Sequence, residues 1–159
     1  MAASKKKQVK REYTPFSKQV MRTEDPEKYY QETPSWSFRM CDAEQWAFNK
    51  EYVGEAIWTE IIPRMQEWET QTWSEILVKG KKYNHSINAE SLNPQAQKRL
   101  AEMYIEQDSI ISLRLNGKHR IYGYITEAVF NILWYDSNHG DNSTCVCRSR
   151  LKRSEERRV

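Results

Sequence analysis

Arg114, Lys118, His119, Arg120, Tyr122 and His139 have the side-chain types that cutting an RNA backbone requires. Internal attack by a 2′-hydroxyl needs one group to accept a proton and another to protonate the leaving oxygen. It also needs cations to hold the charged phosphorane. His and Tyr serve the proton roles. Arg matches the planar, two-point contact with phosphate. A Tyr ring stacks on an unpaired base. These types together offer cleavage without a metal or cofactor.

Each residue also has a plainer use. His119 can pack at a hairpin end, and Tyr122 and Tyr124 can simply cover a sheet. Arg114 can pair with Asp108 or Asp136. Other catalytic signatures are missing: the chain has no P-loop, dinucleotide fingerprint or nucleophile elbow, and only five Gly to build one. Cys145 and Cys147 lie near His139, but that spacing is unlike the paired C-x2-C of a zinc site. No metal is expected.

The elements that must position these groups are legible in the spacing. Residues 110–115, 120–125 and 129–135 are rich in β-branched and aromatic side chains. Asn116-Gly117 between the first two is a hairpin signal. A three-residue loop, Asn116-Gly117-Lys118, pairs Leu115 with His119 and Leu113 with Ile121. That register gathers Ile111, Leu113, Leu115, Ile121, Gly123 and Ile125 on one face. Arg114, Arg120, Tyr122 and Tyr124 then share the other with Ser112 and Asn131. A one-residue slip would mix the two sets, so clean segregation favours this register. Phe130, Ile132 and Trp134 are expected on the apolar face, with Tyr135 on the polar one.

Upstream, Ser35 to Met40 alternates like a strand. Asp42 with Gln45 resembles a capping box. An amphipathic helix is expected from Asn49 to Glu69, interrupted at Pro63. A short helix over 72–78 would stop at Gly80, and a loop over 79–91 would carry Lys81, Lys82 and His85. Asn93-Pro94 starts another helix, running to about Tyr104. The predicted fold is α+β. An N-terminal strand and helices pack on one face of a C-terminal, three-to-four-stranded antiparallel sheet, and the other face stays open.

The chain of 159 residues, with six Trp, nine Tyr and four Phe, can build one modest core. Residues 1–33 and 141–159 each carry +3, and the stretch between carries −3. The expected organisation is a basic flexible segment over 1–33, one domain over 34–140 and a basic tail over 141–159. No apolar run is long enough to span a bilayer, and the basic N-terminus precedes no apolar stretch. Three Cys suit a reducing, cytoplasmic setting better than a disulfide framework.

A strand, a helical pair and a three-strand meander resemble the fold plan of the RelE/ParE toxin superfamily. The local match is Leu113-Arg-Leu-Asn-Gly-Lys-His-Arg-Ile-Tyr122, then Phe130 to Asp136, then His139. Members place an Arg in an H-R-[ILV]-x-Y setting and a His or Arg just past the last strand. The resemblance spans roughly residues 35–140. It implies a metal-free endoribonuclease of toxin–antitoxin type, an mRNA interferase. Arg120 would stabilise the transition-state phosphate and His139 would transfer a proton, with Tyr122 and His119 as further catalytic candidates. Arg114 and Lys118 would contact phosphate, and Tyr124, Lys81 and Lys82 would extend that surface. RNA or the ribosome, and an antitoxin-like protein, are the implied partners. Trp36-Ser-Phe38, Arg120-Ile-Tyr-Gly-Tyr124 and Ile132-Leu-Trp-Tyr-Asp136 also resemble uncharacterised bacterial proteins, some tied to mobile elements. That likeness implies instead a non-catalytic module binding nucleic acid or protein.

Overall fold

The segments richest in β-branched and aromatic residues pair as the centre of one sheet. The computed structural model describes residues 28–140 and 144–147. Its strands are β1 (Ser35–Ser37), β2 (His85–Asn88), β3 (Ser109–Asn116), β4 (His119–Thr126) and β5 (Val129–Asp136). They lie in the order β1-β5-β4-β3-β2. Every pairing is antiparallel except β1 on β5, which is parallel. The fold is α+β, with a mixed sheet of five strands. The additional strand, β2, forms inside the stretch expected as a loop over 79–91.

The acidic helical half packs on the first face. Helix α1 (Lys50–Val53) is capped by the Asn49 side chain, which accepts from the Tyr52 N–H at 2.8 Å. Gly54, at φ 56°, ends it. A π-helical turn (Ile57–Ile61) then leads into helix α2 (Ile62–Trp68). The expected long helix is thus broken at Gly54, not at Pro63. Pro63 sits in the first turn of α2, where a missing N–H is tolerated. Ile61, Met65 and Trp68 bury one stripe against Leu113, Ile121, Phe130 and Ile132. A further π-helical turn (Glu75–Lys79) buries Ile76 and stops at Gly80, where a Cβ would lie 2.5 Å from the Ile76 carbonyl oxygen.

The second face is covered too, which corrects the expectation of an open one. Helix α3 (Pro94–Glu102) begins at Asn93, whose side chain accepts from the Gln95 N–H at 2.8 Å. Its Ala96 and Leu100 pack with Leu92, Ile110, Tyr122, Leu133, Trp134 and Val146. Asp42 accepts from the Glu44 and Gln45 N–H groups at 2.8 and 3.3 Å in the manner of a cap, but no helix follows it directly. It accepts from Arg99 Nε at 2.9 Å, Arg99 Nη2 at 2.8 Å and Trp134 Nε1 at 3.0 Å. This buried pair fastens α3 to the sheet. The packed region also exceeds 34–140. Tyr29 is buried in the first core and Val146 in the second. The rest of the two basic terminal stretches lies outside the described residues. Among the described residues no helix is long and apolar enough to cross a membrane.

Two bulges decide which side chains face which layer. Leu113 pairs with Ile121 as the face argument requires. However, Asn116 rather than Leu115 pairs with His119, and the slip is taken up at Leu115. Gly117, at φ 50°, then begins a two-residue turn, a position where a left-handed φ is wanted. In β5 the register shifts between Tyr122↔Trp134 and Gly123↔Ile132, leaving Leu133 as the extra residue. That slip sends Trp134 to the second core and Tyr135 to the first, the reverse of the alternation expected from sequence. Gly123, beside this bulge, has no room for a side chain. A Cβ would stand 2.1 Å from the Asn131 carbonyl oxygen and 2.8 Å from the Phe130 ring. Gly123→Ala is therefore expected to cost about 2–3 kcal/mol as overpacking, read as a lower urea midpoint with unchanged slope.

Candidate functional site

Strand pairing builds the site in two rows on the second face. In the inner row His85 lies opposite Ser112, Ser112 opposite Tyr122, and Tyr122 opposite Trp134. In the outer row Arg114 lies opposite Arg120, and Arg120 opposite Asp136. Helix α3 and Val146 cover much of the inner row, and Tyr122 and Trp134 are 0% exposed. The outer row stays accessible at its edge. Arg114 and Arg120 are half-buried, beside exposed His85 and Lys118.

The outer row sets two cations side by side in a notch at the sheet edge. Among the described residues neither Arg114 nor Arg120 has an ion-pair partner. Asp136, the nearest candidate in the row, is fully buried and already accepts from the Asn138 and Val146 N–H groups at 2.8 Å each. Burial raises its carboxyl above the ordinary range, which those hydrogen bonds only partly offset. Arg120 Nη1 donates to the carbonyls of Gly117 at 2.5 Å and His119 at 3.0 Å, so the hairpin turn aims it. Burial, together with repulsion from Arg114, lowers its pKa despite the attraction of Tyr122 and Asp136. The Arg114 guanidinium stacks 4.9 Å from the Tyr83 ring, and its backbone N–H donates to Asn84 Oδ1 at 2.9 Å.

The proton-handling groups sit at the rim. His139 Nδ1 is 3.2 Å from the Tyr122 hydroxyl and 3.5 Å from Cys147 Sγ. Both of these contacts use Nδ1. His85 is exposed overall. Partial burial of its ring lowers its pKa first, and repulsion from His139 and Arg120 adds to this. Burial holds the Tyr122 phenol well above its ordinary range, with Cys147 and Asp136 adding to it. The enclosed Tyr122 hydroxyl thus meets His139 from within the second core.

No family model matches the chain, and no curated protein or solved structure is significantly similar to it.

Of the residues singled out from sequence, the fold brings Arg114, Arg120, Tyr122 and His139 together. Lys118 is on the hairpin turn beside them, its carbonyl accepting from the His139 N–H at 3.1 Å. His119 goes elsewhere: its Nδ1 makes a short hydrogen bond to the Tyr135 hydroxyl, in the first core. Tyr124 is half-buried against the second core, so it offers little ring face to a base. Lys81 and Lys82 are exposed on the loop before β2, where Lys82 Nζ lies 5.6 Å from the Tyr83 ring. Ser112 was expected on this face; His85 was expected on a loop, and Cys147, noted beside His139, was not expected to join the site. His85 looked like loop because His-Ser-Ile-Asn has one apolar residue, and Cys147 because a polar tail surrounds it. Two described clefts lie apart from the notch. One of about 650 Å³ is bordered by Glu44 and Glu51, and one of about 460 Å³ by Glu90, Glu106 and Asp108. Their carboxylates repel phosphate.

Proposed function

We propose that the protein is an RNA-cleaving enzyme of the toxin–antitoxin kind, working at the notch between Arg114, Arg120, His85 and His139. The observation that carries this reading is the adjacent pair of half-buried guanidiniums that have no carboxylate partner among the described residues. Like charges brought together by a fold are costly unless an anion joins them, and phosphate fits two Arg forks. His139 is the proton-transfer group in this reading, with His85 as its counterpart. Arg120 stabilises the charge that develops on the phosphorane, and Arg114 and Lys118 hold the flanking backbone. Cytoplasmic RNA, free or on the ribosome, is the proposed substrate, and an antitoxin-like protein the proposed partner. Expression in bacterial cells should arrest growth, and Arg120→Ala combined with His139→Ala should restore it. Unimpaired growth with abundant folded wild-type protein would count against the enzyme.

The burial of Tyr122 favours a second reading, a module that binds RNA without cutting it. A fully enclosed phenol touches no substrate, so only the two histidines remain for proton transfer. Both readings share one pH dependence. A bound phosphate raises the His85 pKa, so its contribution is full below the free value and is lost as pH rises through the bound one. RNA affinity should fall several-fold between about pH 5.5 and about pH 7.5. His85→Gln should flatten that part of the profile in fluorescence anisotropy titrations.

A further inference from the structure

The second core holds a pair of thiols that the RNA reading does not use. Cys145 Sγ and Cys147 Sγ are 3.2 Å apart, with Val146 between them pointing into the core. The backbone on both sides is fixed. Asn93 N–H donates to the Val146 carbonyl at 2.8 Å, and Asn93 Nδ2 to the Cys145 carbonyl at 3.1 Å. Trp46 Nε1 donates to the Thr144 carbonyl at 2.8 Å, and Cys147 pairs with Leu92 as an isolated bridge. The Cys145 thiol donates to the Cys147 carbonyl at 2.7 Å. Two sulfurs held at van der Waals contact need to close by only about 1 Å to bond.

We propose that Cys145 and Cys147 form a reversible dithiol–disulfide pair, with Cys147 the thiol that reacts with hydrogen peroxide and Cys145 the one that resolves it. The Cys147 thiolate attacks one peroxide oxygen, and the O–O bond breaks. Hydroxide leaves and takes up a proton as water, and Cys147 becomes a sulfenic acid. Cys145 sulfur then attacks the Cys147 sulfur. The S–O bond breaks, and the departing hydroxide takes the Cys145 proton as a second water. Two thiols and one peroxide thus give one disulfide and two waters.

The surroundings assign the roles. The close contact with the Cys145 sulfur lowers the Cys147 pKa most, and His139 at 3.5 Å lowers it further, against the effect of burial. Cys145 is pushed the other way by the same partner and by burial. Cys41, the third free thiol, has no such neighbours among the described residues, and burial pushes it up to about 12. It serves as an internal control. Closing the bond takes the Cys147 sulfur from His139, so the redox state reaches the rim of the notch. The pair itself requires no RNA.

The test uses full-length reduced protein, dilute hydrogen peroxide, alkylation and peptide mass spectrometry. Both cysteines fall in one tryptic peptide, Ile121 to Arg148. The expected product is that peptide short of two hydrogens, restored by dithiothreitol, with Cys41 still alkylated. Cys147→Ser should slow the reaction at least about tenfold. Cys145→Ser should leave a sulfenic acid on Cys147 that dimedone traps. Oxidation of Cys41 as fast as the pair, an intermolecular disulfide as the main product, or unchanged kinetics in Cys147→Ser would overturn the proposal. These outcomes are independent of whether RNA is cut.

Discussion

Asp42→Ala lowers the thermal midpoint by roughly 10 °C, a loss of about 3–5 kcal/mol. The carboxylate is 2% exposed and holds three side-chain donors from two elements, besides the Glu44 and Gln45 N–H groups. Its removal strands the Arg99 guanidinium in the core, with Glu44 at 2.9 Å and Glu102 at 3.1 Å as its remaining partners. Both of those carboxylates are largely exposed and offset little. The Trp134 indole N–H is stranded as well. The double variant Asp42→Leu with Arg99→Met should recover much of the loss, because no unpaired charge remains. Urea melts of the single and double variants measure this directly. Equal losses would show that packing, not the charge, carries the effect.

The same carboxyl sets an acid limit. Burial, the largest single influence, would raise it, but the hydrogen bonds from Arg99, Glu44, Trp134 and Gln45 together outweigh this. The carboxyl is left below the ordinary range. A folded pKa below the unfolded one gives stability that is present above the unfolded value, about 3.9. That stability is lost as pH falls through the lower folded value. Asp42→Leu/Arg99→Met should therefore lose less stability than the wild type on acidification below about pH 4.

Arg114→Ala/Arg120→Ala weakens binding to single-stranded RNA about 100-fold or more at low salt. Each charge-assisted contact is worth about 1.5–3 kcal/mol, and both are removed. Two phosphate contacts also fix the salt response. The slope of log K against log salt should fall by about 1.4 in the double variant. The basic terminal stretches supply whatever slope remains. A control pair, Lys98→Ala/Lys79→Ala, removes equal charge at exposed positions on α3 and on the π-helical turn before β2. If it weakened binding as much, diffuse charge and no specific site would be responsible.

How much of this was legible depended on the range of the interaction. The central hairpin could be placed because Leu113↔Ile121 separates apolar from charged side chains within ten residues. Asn93 as a cap is a local event and was equally visible. The bulge at Leu133 was not, because Ile132-Leu-Trp-Tyr135 is large and apolar at every position and fits either register. The covered second face was missed for a related reason. Its cover depends on Arg99 meeting a carboxylate 57 residues away and on Val146 in a polar stretch. Arg114, Arg120 and His139 were recognisable as chemistry, but what surrounds them came from such distant pairings. His85 reached the notch through β2, which its own residues scarcely announce.

The most direct test is cleavage of a labelled single-stranded RNA by the purified full-length protein, with the product ends identified. Internal attack predicts fragments ending in a 2′,3′-cyclic phosphate, and a 2′-deoxy substitution at the cleaved nucleotide should stop the reaction. Arg120→Ala should slow it about 100-fold or more, while keeping the wild-type fold. Intact RNA across about pH 5.5 to about pH 7.5, or cleavage by Arg120→Ala/His139→Ala at the wild-type rate, would contradict the account.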